Sequence, residues 1–195
     1  MRNYHPLPEQ RLSGAVFVAR PAPPKSVTAE SPALDVMTDL RFTHSALIEP
    51  QISVDAAHAY MVQRGVRMLL VMSPERSLAG IITATDILGE KPLRFSQERR
   101  VKHSEIVVAD IMTPLENLGA IPIADVKHAK VGEVIASLRD SGRQHTLVME
   151  TDAHGKTDIC GIFSITQIER QMGMVIQSSG VATTFAEIEA TLLSS

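Results

Sequence analysis

Two heptapeptides decide the fold: GIITATD at 80–86 and GIFSITQ at 161–167. Each opens on glycine, passes through two apolar residues to a hydroxyl, and ends on a side chain that hydrogen-bonds. That pattern reads as a short buried strand breaking into a helix near Thr83 or Ser164. A motif seen once would carry little weight, so the residues around each copy must match as well.

They do. Upstream of the first copy, residues 53–64 (SVDAAHAYMVQR) read as a helix with Ser53 as cap. Val54, Ala57 and Met61 share its apolar face, and Gly65 ends it. RMLLVM follows, with a buried strand over 68–72, then the turn SPERS. Upstream of the second copy, VGEVIASLRDSG at 131–142 places Val131, Val134, Ile135 and Leu138 on one helical stripe. Gly142 ends that helix, HTLVM at 145–149 repeats the strand, and TDAHGKTD at 151–158 is a longer turn. After the second heptapeptide, Thr166 and Glu169 have capping-box spacing. DVMTD at 35–39 and DIMTP at 110–114 open the two units. Thr38 and Thr113 are 75 residues apart, Gly65 and Gly142 77, and Gly80 and Gly161 81. The drift falls in loops, where insertions are cheap. One such unit is too small to bury its own sheet, so two should pack face to face.

The fold expected is α/β (α+β): two units about an approximate two-fold axis, each a small sheet with two helices packed on one side. The organisation expected is a proline-rich extended segment at 1–33, a first unit at 34–90, a linker at 91–107, a second unit at 108–173 and a tail at 174–195. Within the first segment AVFV at 15–18 reads as a short strand; within the tail, 184–193 reads as a helix with Phe185, Ile188 and Leu192 as its stripe. The linker carries Arg94, Arg99, Arg100, Lys102 and His103. It reads as a solvated connector or as a surface for an anionic partner.

Composition excludes several functions. Net charge is −3, aromatic residues are 4% and tryptophan is absent, which argues against a nucleic-acid surface or stacking platform. No apolar run is long enough to span a bilayer, and Pro6, Pro8 and Glu9 interrupt the region where a signal peptide would need its apolar stretch. A cytoplasmic compartment is the expectation. Cys160 is the single cysteine and reads as a buried thiol. The histidines have no metal-ligand spacing, and no G-x-S-x-G, Walker or G-x-G-x-x-G motif occurs. No catalytic or metal residue is assigned.

The paired units resemble tandem cystathionine-β-synthase (CBS) domains, the Bateman module. The resemblance rests on VMT and IMTP, the glycine-ended helices, the buried strands and the two G-h-h-[ST] elements. It implies a non-catalytic regulatory module that binds an adenosine nucleotide, AMP-, ADP- or ATP-like, or S-adenosylmethionine, as a regulatory ligand with no cofactor required. By the resemblance, Thr83 and Ser164 meet a phosphate, Asp86 holds the ribose hydroxyls, and Gln167 replaces the second acid. GVRMLLV keeps a basic residue at Arg67, and GRQHTLV keeps a histidine at His145. Val36, Met37 and Thr38, with Ile111, Met112 and Thr113, would enclose the base, partly through backbone groups. A homodimer is implied too, for which Ala56, Ala57 and Ala59 permit close helix packing, and the output would be an assembly or a protein partner that the sequence does not name.

Read without the family, the same residues keep alternatives. Thr83 and Asp86 at a helix start suit a phosphate, but Asp86 also suits plain helix stabilisation. Arg67 is a phosphate ligand or a surface arginine, and His145 a donor to ligand or a boundary histidine. Because GIITATD keeps both polar positions, the first cleft is expected to bind better. The competing reading is an interaction module that has lost its ligand; an enzyme is the least supported.

Overall fold

The computed structural model describes residues 6–18 and 26–176. Its strands are β1 (Thr38–Asp39), β2 (Leu47–Ile48), β3 (Met68–Met72), β4 (Leu78–Thr83), β5 (Thr113–Pro114), β6 (Ala120–Pro122), β7 (His145–Thr151) and β8 (Thr157–Ser164). Its helices are α1 (Val54–Arg64), α2 (Ala84–Leu88), α3 (Lys91–Arg99), α4 (Val108–Ile111), α5 (Ile123–Val126), α6 (Val131–Asp140) and α7 (Ile165–Met172). The strands form two separate four-stranded mixed sheets, ordered β2-β3-β4-β5 and β1-β8-β7-β6.

The expected stripes face the cores. Val54, Ala57 and Met61 of α1 are buried against Leu69, Val71 and Ile82. Val131, Val134, Ile135 and Leu138 of α6 are buried with Val148, Cys160 and Phe163. Gly65 and Gly142 have φ of 65° and 62°, the left-handed geometry that stops a helix at low cost in glycine. Alternation in β3 sends Leu69 and Val71 to the helices, while Met68 and Leu70 meet Ile81 and Leu147 between the sheets. Two units back to back follow, as the repeat requires. Burial pushes the Cys160 thiol upward, consistent with an inert core cysteine.

The sheets exchange their outer strands. β1, from the start of the first copy, pairs with β8; β5, from the start of the second, pairs with β4. The heptapeptide glycines permit this exchange. A β-carbon on Gly80 would collide with the Thr113 carbonyl oxygen, and one on Gly161 would lie 2.5 Å from Met37 Sδ. Each glycine is therefore the seat for the other copy's opening segment, a role that spacing alone does not disclose.

Several local expectations need correction. Residues 15–18 form no strand, and Val16, Phe17 and Val18 are exposed. The connector contains α3, with Pro92 buried in its first turn and Phe95 packed on the first core. Ser164, not Thr166, precedes α7, and the Glu169 carboxylate accepts instead from the Ile176 amide at 2.8 Å. Ala57 faces the core, leaving Ala56 and Ala59 exposed on α1. The helix expected at 184–193 lies outside the described residues.

The units also differ between their parallel strand and first long helix. Five residues join Ile48 to Val54, whereas nine join Ile121 to Val131 and include α5. Ile123 and Val126 of α5 fill the second core. The first unit has no such turn, and a groove of about 1060 Å³ lies there between Ile48, Ile52, Tyr60 and Met72.

Candidate functional site

Two clefts lie where the halves meet, each at a strand-to-helix junction. The first, of about 240 Å³, is lined by Thr83, Thr85 and Asp86 from one unit, Thr113 from β5, and Gly142, Arg143, Gln144 and His145 from the other. The second, of about 230 Å³, is lined by Ser164, Thr166, Gln167 and Arg170, by Thr38 from β1, and by Gly65, Val66, Arg67 and Met68. Each cleft thus combines one unit's heptapeptide with the other unit's post-helix segment. Backbone bonds fix the junctions: the Ala84 amide donates to the Arg67 carbonyl and the Ile165 amide to the Gln144 carbonyl, both at 2.9 Å.

In the first cleft the polar pair is turned inward. Asp86 Oδ2 accepts from the Thr83 amide at 2.8 Å and from Thr83 Oγ1 at 2.6 Å, and the Asp86 amide donates to Thr83 Oγ1 at 3.2 Å. This is a closed capping box on a five-residue helix. Lys91 Nζ sits 2.6 Å from Asp86 Oδ1 and donates to the Ile111 carbonyl at 3.2 Å. The helix-stabilising role weighed for Asp86 is therefore present in full. Arg143 reaches the Asn117 carbonyl at 2.7 Å.

The second cleft is arranged differently. Thr38 Oγ1 donates to Gln167 Oε1 at 2.9 Å, so the amide that replaces the acid is tied across to β1. The Ser164 side chain makes no cap bond. Arg67 and Arg170 both line the cavity, and among the described residues no carboxylate does. The cation-rich cleft is thus the one without an acid.

His145 borders both clefts. It lies opposite Ser164 in the β7–β8 ladder, where Met68 lies opposite Thr83 in the other sheet. It is 9% exposed, and Nδ1 is buried without a hydrogen-bond partner. Burial, reinforced by the Arg67 charge and opposed by Asp86, holds its pKa down at about 4. The ring is neutral at pH 7 and offers one N–H and one acceptor, not a cation.

The geometry sorts the residues read from sequence. Thr83, Asp86 and Thr113 share one cleft, Arg67, Ser164, Gln167 and Thr38 share the other, and His145 belongs to both. Val36 and Ile111 are core side chains; Met37 covers Gly161 and Met112 packs on the first core, so the side chains that the two MT pairs bring to the clefts are those of Thr38 and Thr113. Sequence reasoning missed Arg170, Arg143 and Lys91. Arg170 stands three residues after Gln167, one helical turn on, and that spacing could have found it. Lys91 lay in a segment read as connector, and nothing local marked it. Among the described residues no group of three or more His, Cys, Asp or Glu side chains could hold a metal, and no helix is long and apolar enough to cross a membrane.

Comparison with known proteins agrees with the architecture. The CBS domain family model matches residues 35–92. No curated protein matches the chain. A conserved protein of Pyrococcus horikoshii superposes with a TM-score of 0.54 at 22% identity, covering 78% of this chain and all of that one. The CBS domain pair of protein MJ0100, in complex with 5′-methylthioadenosine and S-adenosyl-L-methionine, superposes with a TM-score of 0.50 at 17% identity, covering 73% of this chain and 96% of its own. The CBS model matches the first unit, and the duplicated sheets with their exchanged strands give the chain the fold of a tandem CBS-domain pair, the architecture of a Bateman module.

Proposed function

We propose that this chain is a non-catalytic regulatory module whose clefts take an adenosine ligand, either an AMP-, ADP- or ATP-like nucleotide or S-adenosylmethionine. The observation that carries the reading is the pair of clefts at strand-to-helix junctions, each completed by side chains from both units. A ligand there touches both halves at once, so binding can shift their relative arrangement. The adenosine-based ligands of the MJ0100 domain pair support the ligand class. Arg67 and Arg170 suit a phosphate or carboxylate, and Asp86 suits hydroxyls.

The output is a homodimer or a protein partner. Ala56 and Ala59 leave part of α1 open to close helix packing, and Val62 and Leu88 are 69% and 67% exposed. Sedimentation at micromolar concentration should show a dimer; a monomer throughout would remove that part of the reading.

A second reading is favoured by one specific feature: Asp86 and Gln167 already have partners inside the protein, Thr83 and Lys91 for the acid and Thr38 for the amide. On that reading the module only holds partners together. Mass spectrometry of small molecules released from the purified, denatured protein separates the two. An adenosine compound at near-stoichiometric yield is expected. If none is released, and AMP, ATP and S-adenosylmethionine each fail to raise the melting temperature, the interaction module is correct.

A further inference from the structure

Among the described residues Asp86 is the one carboxylate lining either cleft, and both its oxygens are in use. Oδ2 is held by Thr83, two bonds internal to the cap. Oδ1 is held by Lys91, whose ammonium reaches it from the first turn of α3. The two partners are not equally committed. Asp86 is 13% exposed and needs a donor wherever it sits; Lys91 is 47% exposed, so its ammonium can return to water at little cost. The carboxylate is thus occupied by a group that is cheap to displace.

Resting on the nucleotide reading above, we propose that Lys91 is an internal competitor for Asp86, which a ligand bearing paired hydroxyls must displace to enter the first cleft. The exchange is balanced. Ligand hydroxyls donate to Oδ1 in place of the ammonium, and Thr83 keeps Oδ2. Lys91 also donates to the Ile111 carbonyl at the end of α4, so its release loosens a tie between α3 and α4. Occupancy of the cleft is thereby reported to the segment joining the two copies. A half-exposed ion pair of this kind lowers apparent affinity in proportion to the fraction of time it is open, by a factor of about three to ten.

Adenosine, uncharged and carrying the diol, is the probe; 2′,3′-dideoxyadenosine is the control. Calorimetric titration of Lys91→Met should show adenosine bound about three- to tenfold more tightly than by the parent, with no gain for the dideoxy control. The gain should vanish in an Asp86→Asn background. Hydrogen exchange over residues 91–99 should quicken when the parent binds adenosine and should not respond to adenosine in Lys91→Met. Lys91→Gln serves if the methionine variant melts early. If Lys91→Met binds adenosine no better than the parent while Asp86→Asn binds it worse, Lys91 is not a competitor and the nucleotide reading stands. If parent and both lysine variants bind neither adenosine nor AMP, the nucleotide reading fails and the competitor role with it.

Discussion

The two clefts are built from equivalent parts and have opposite chemistry. One holds Asp86 with its oxygens satisfied; the other holds Arg67 and Arg170 with Gln167 in the acid's place. A duplicated pocket need not remain two copies of one site. Because the post-helix segments cross between units, each copy shapes the cleft of the other copy's heptapeptide: Met68 lines the cleft of Ser164 and Gln167, and Gln144 the cleft of Thr83 and Asp86. The same divergence shows at the outer edge, where α5 fills the second core and the first unit keeps a groove.

The sharpest way to break the comparison is through the two seats. Gly80 meets backbone, which cannot move without shifting β5; Gly161 meets the Met37 thioether, which can rotate. Gly80→Ala should destabilise by about 3 kcal/mol and Gly161→Ala by about 1 kcal/mol, as overpacking against rigid and flexible neighbours does. Urea denaturation measures both. Equal losses would mean that the exchanged strands are held alike.

His145, shared by the clefts, gives the next effect. Its folded pKa of about 4 lies below the ordinary value of 6.5, so between those values the unfolded chain binds the extra proton. Stability is therefore full above about pH 6.5 and falls as pH drops toward 4, by roughly 3 kcal/mol at most. His145→Gln should flatten that limb of the pH–stability curve. A limb unchanged by the substitution would show that His145 is not the group responsible.

How much of this was legible in sequence depended on how local the signal was. The helical stripes and the helix-ending glycines are set by side chains and turns within one segment, and they read directly at Val54, Met61, Val131 and Leu138. The strand exchange was not legible. Thr38 and Thr113 look like the first residues of their own units, and only the contact with Gly161 and Gly80 assigns them to the opposite sheets. The site shows the same limit. Thr83, Asp86, Ser164, Gln167 and Arg67 were found by motif, but the pairing of Arg67 with the second heptapeptide and of Arg143 with the first depends on how the sheets face. Lys91 depends on α3, whose charged, Pro-containing sequence reads as a connector until Pro92 and Phe95 find the core.

Anion preference sharpens the comparison further. Arg67 and Arg170 line a cleft without an acid, so Arg67→Ala with Arg170→Ala should weaken AMP about thirtyfold and adenosine less than threefold. Arg143→Ala, in the cleft that contains Asp86, should change the AMP-to-adenosine ratio little. Calorimetry with the two ligands reads the ratio. If Arg143→Ala is the variant that removes the preference, the phosphate lies in the first cleft.

The smallest effect concerns the acid and the amide themselves. Asp86→Ala removes the only carboxylate that the described residues bring to either cleft, yet part of its value to a ligand is already spent on Lys91. A charge-assisted bond alone is worth a factor of roughly ten or more, and competition by Lys91 reduces it, so adenosine affinity should fall about fivefold. The substitution also opens the cap on α2 and should cost about 1 kcal/mol of stability, which a melt taken alongside will register. Gln167→Ala removes a neutral acceptor whose partner, Thr38 Oγ1, then turns to water; the fall should be under threefold. A larger loss for Gln167→Ala than for Asp86→Ala would place the hydroxyl-bearing part of the ligand in the second cleft. The Thr83–Asp86 pair would then be a helix cap and nothing more.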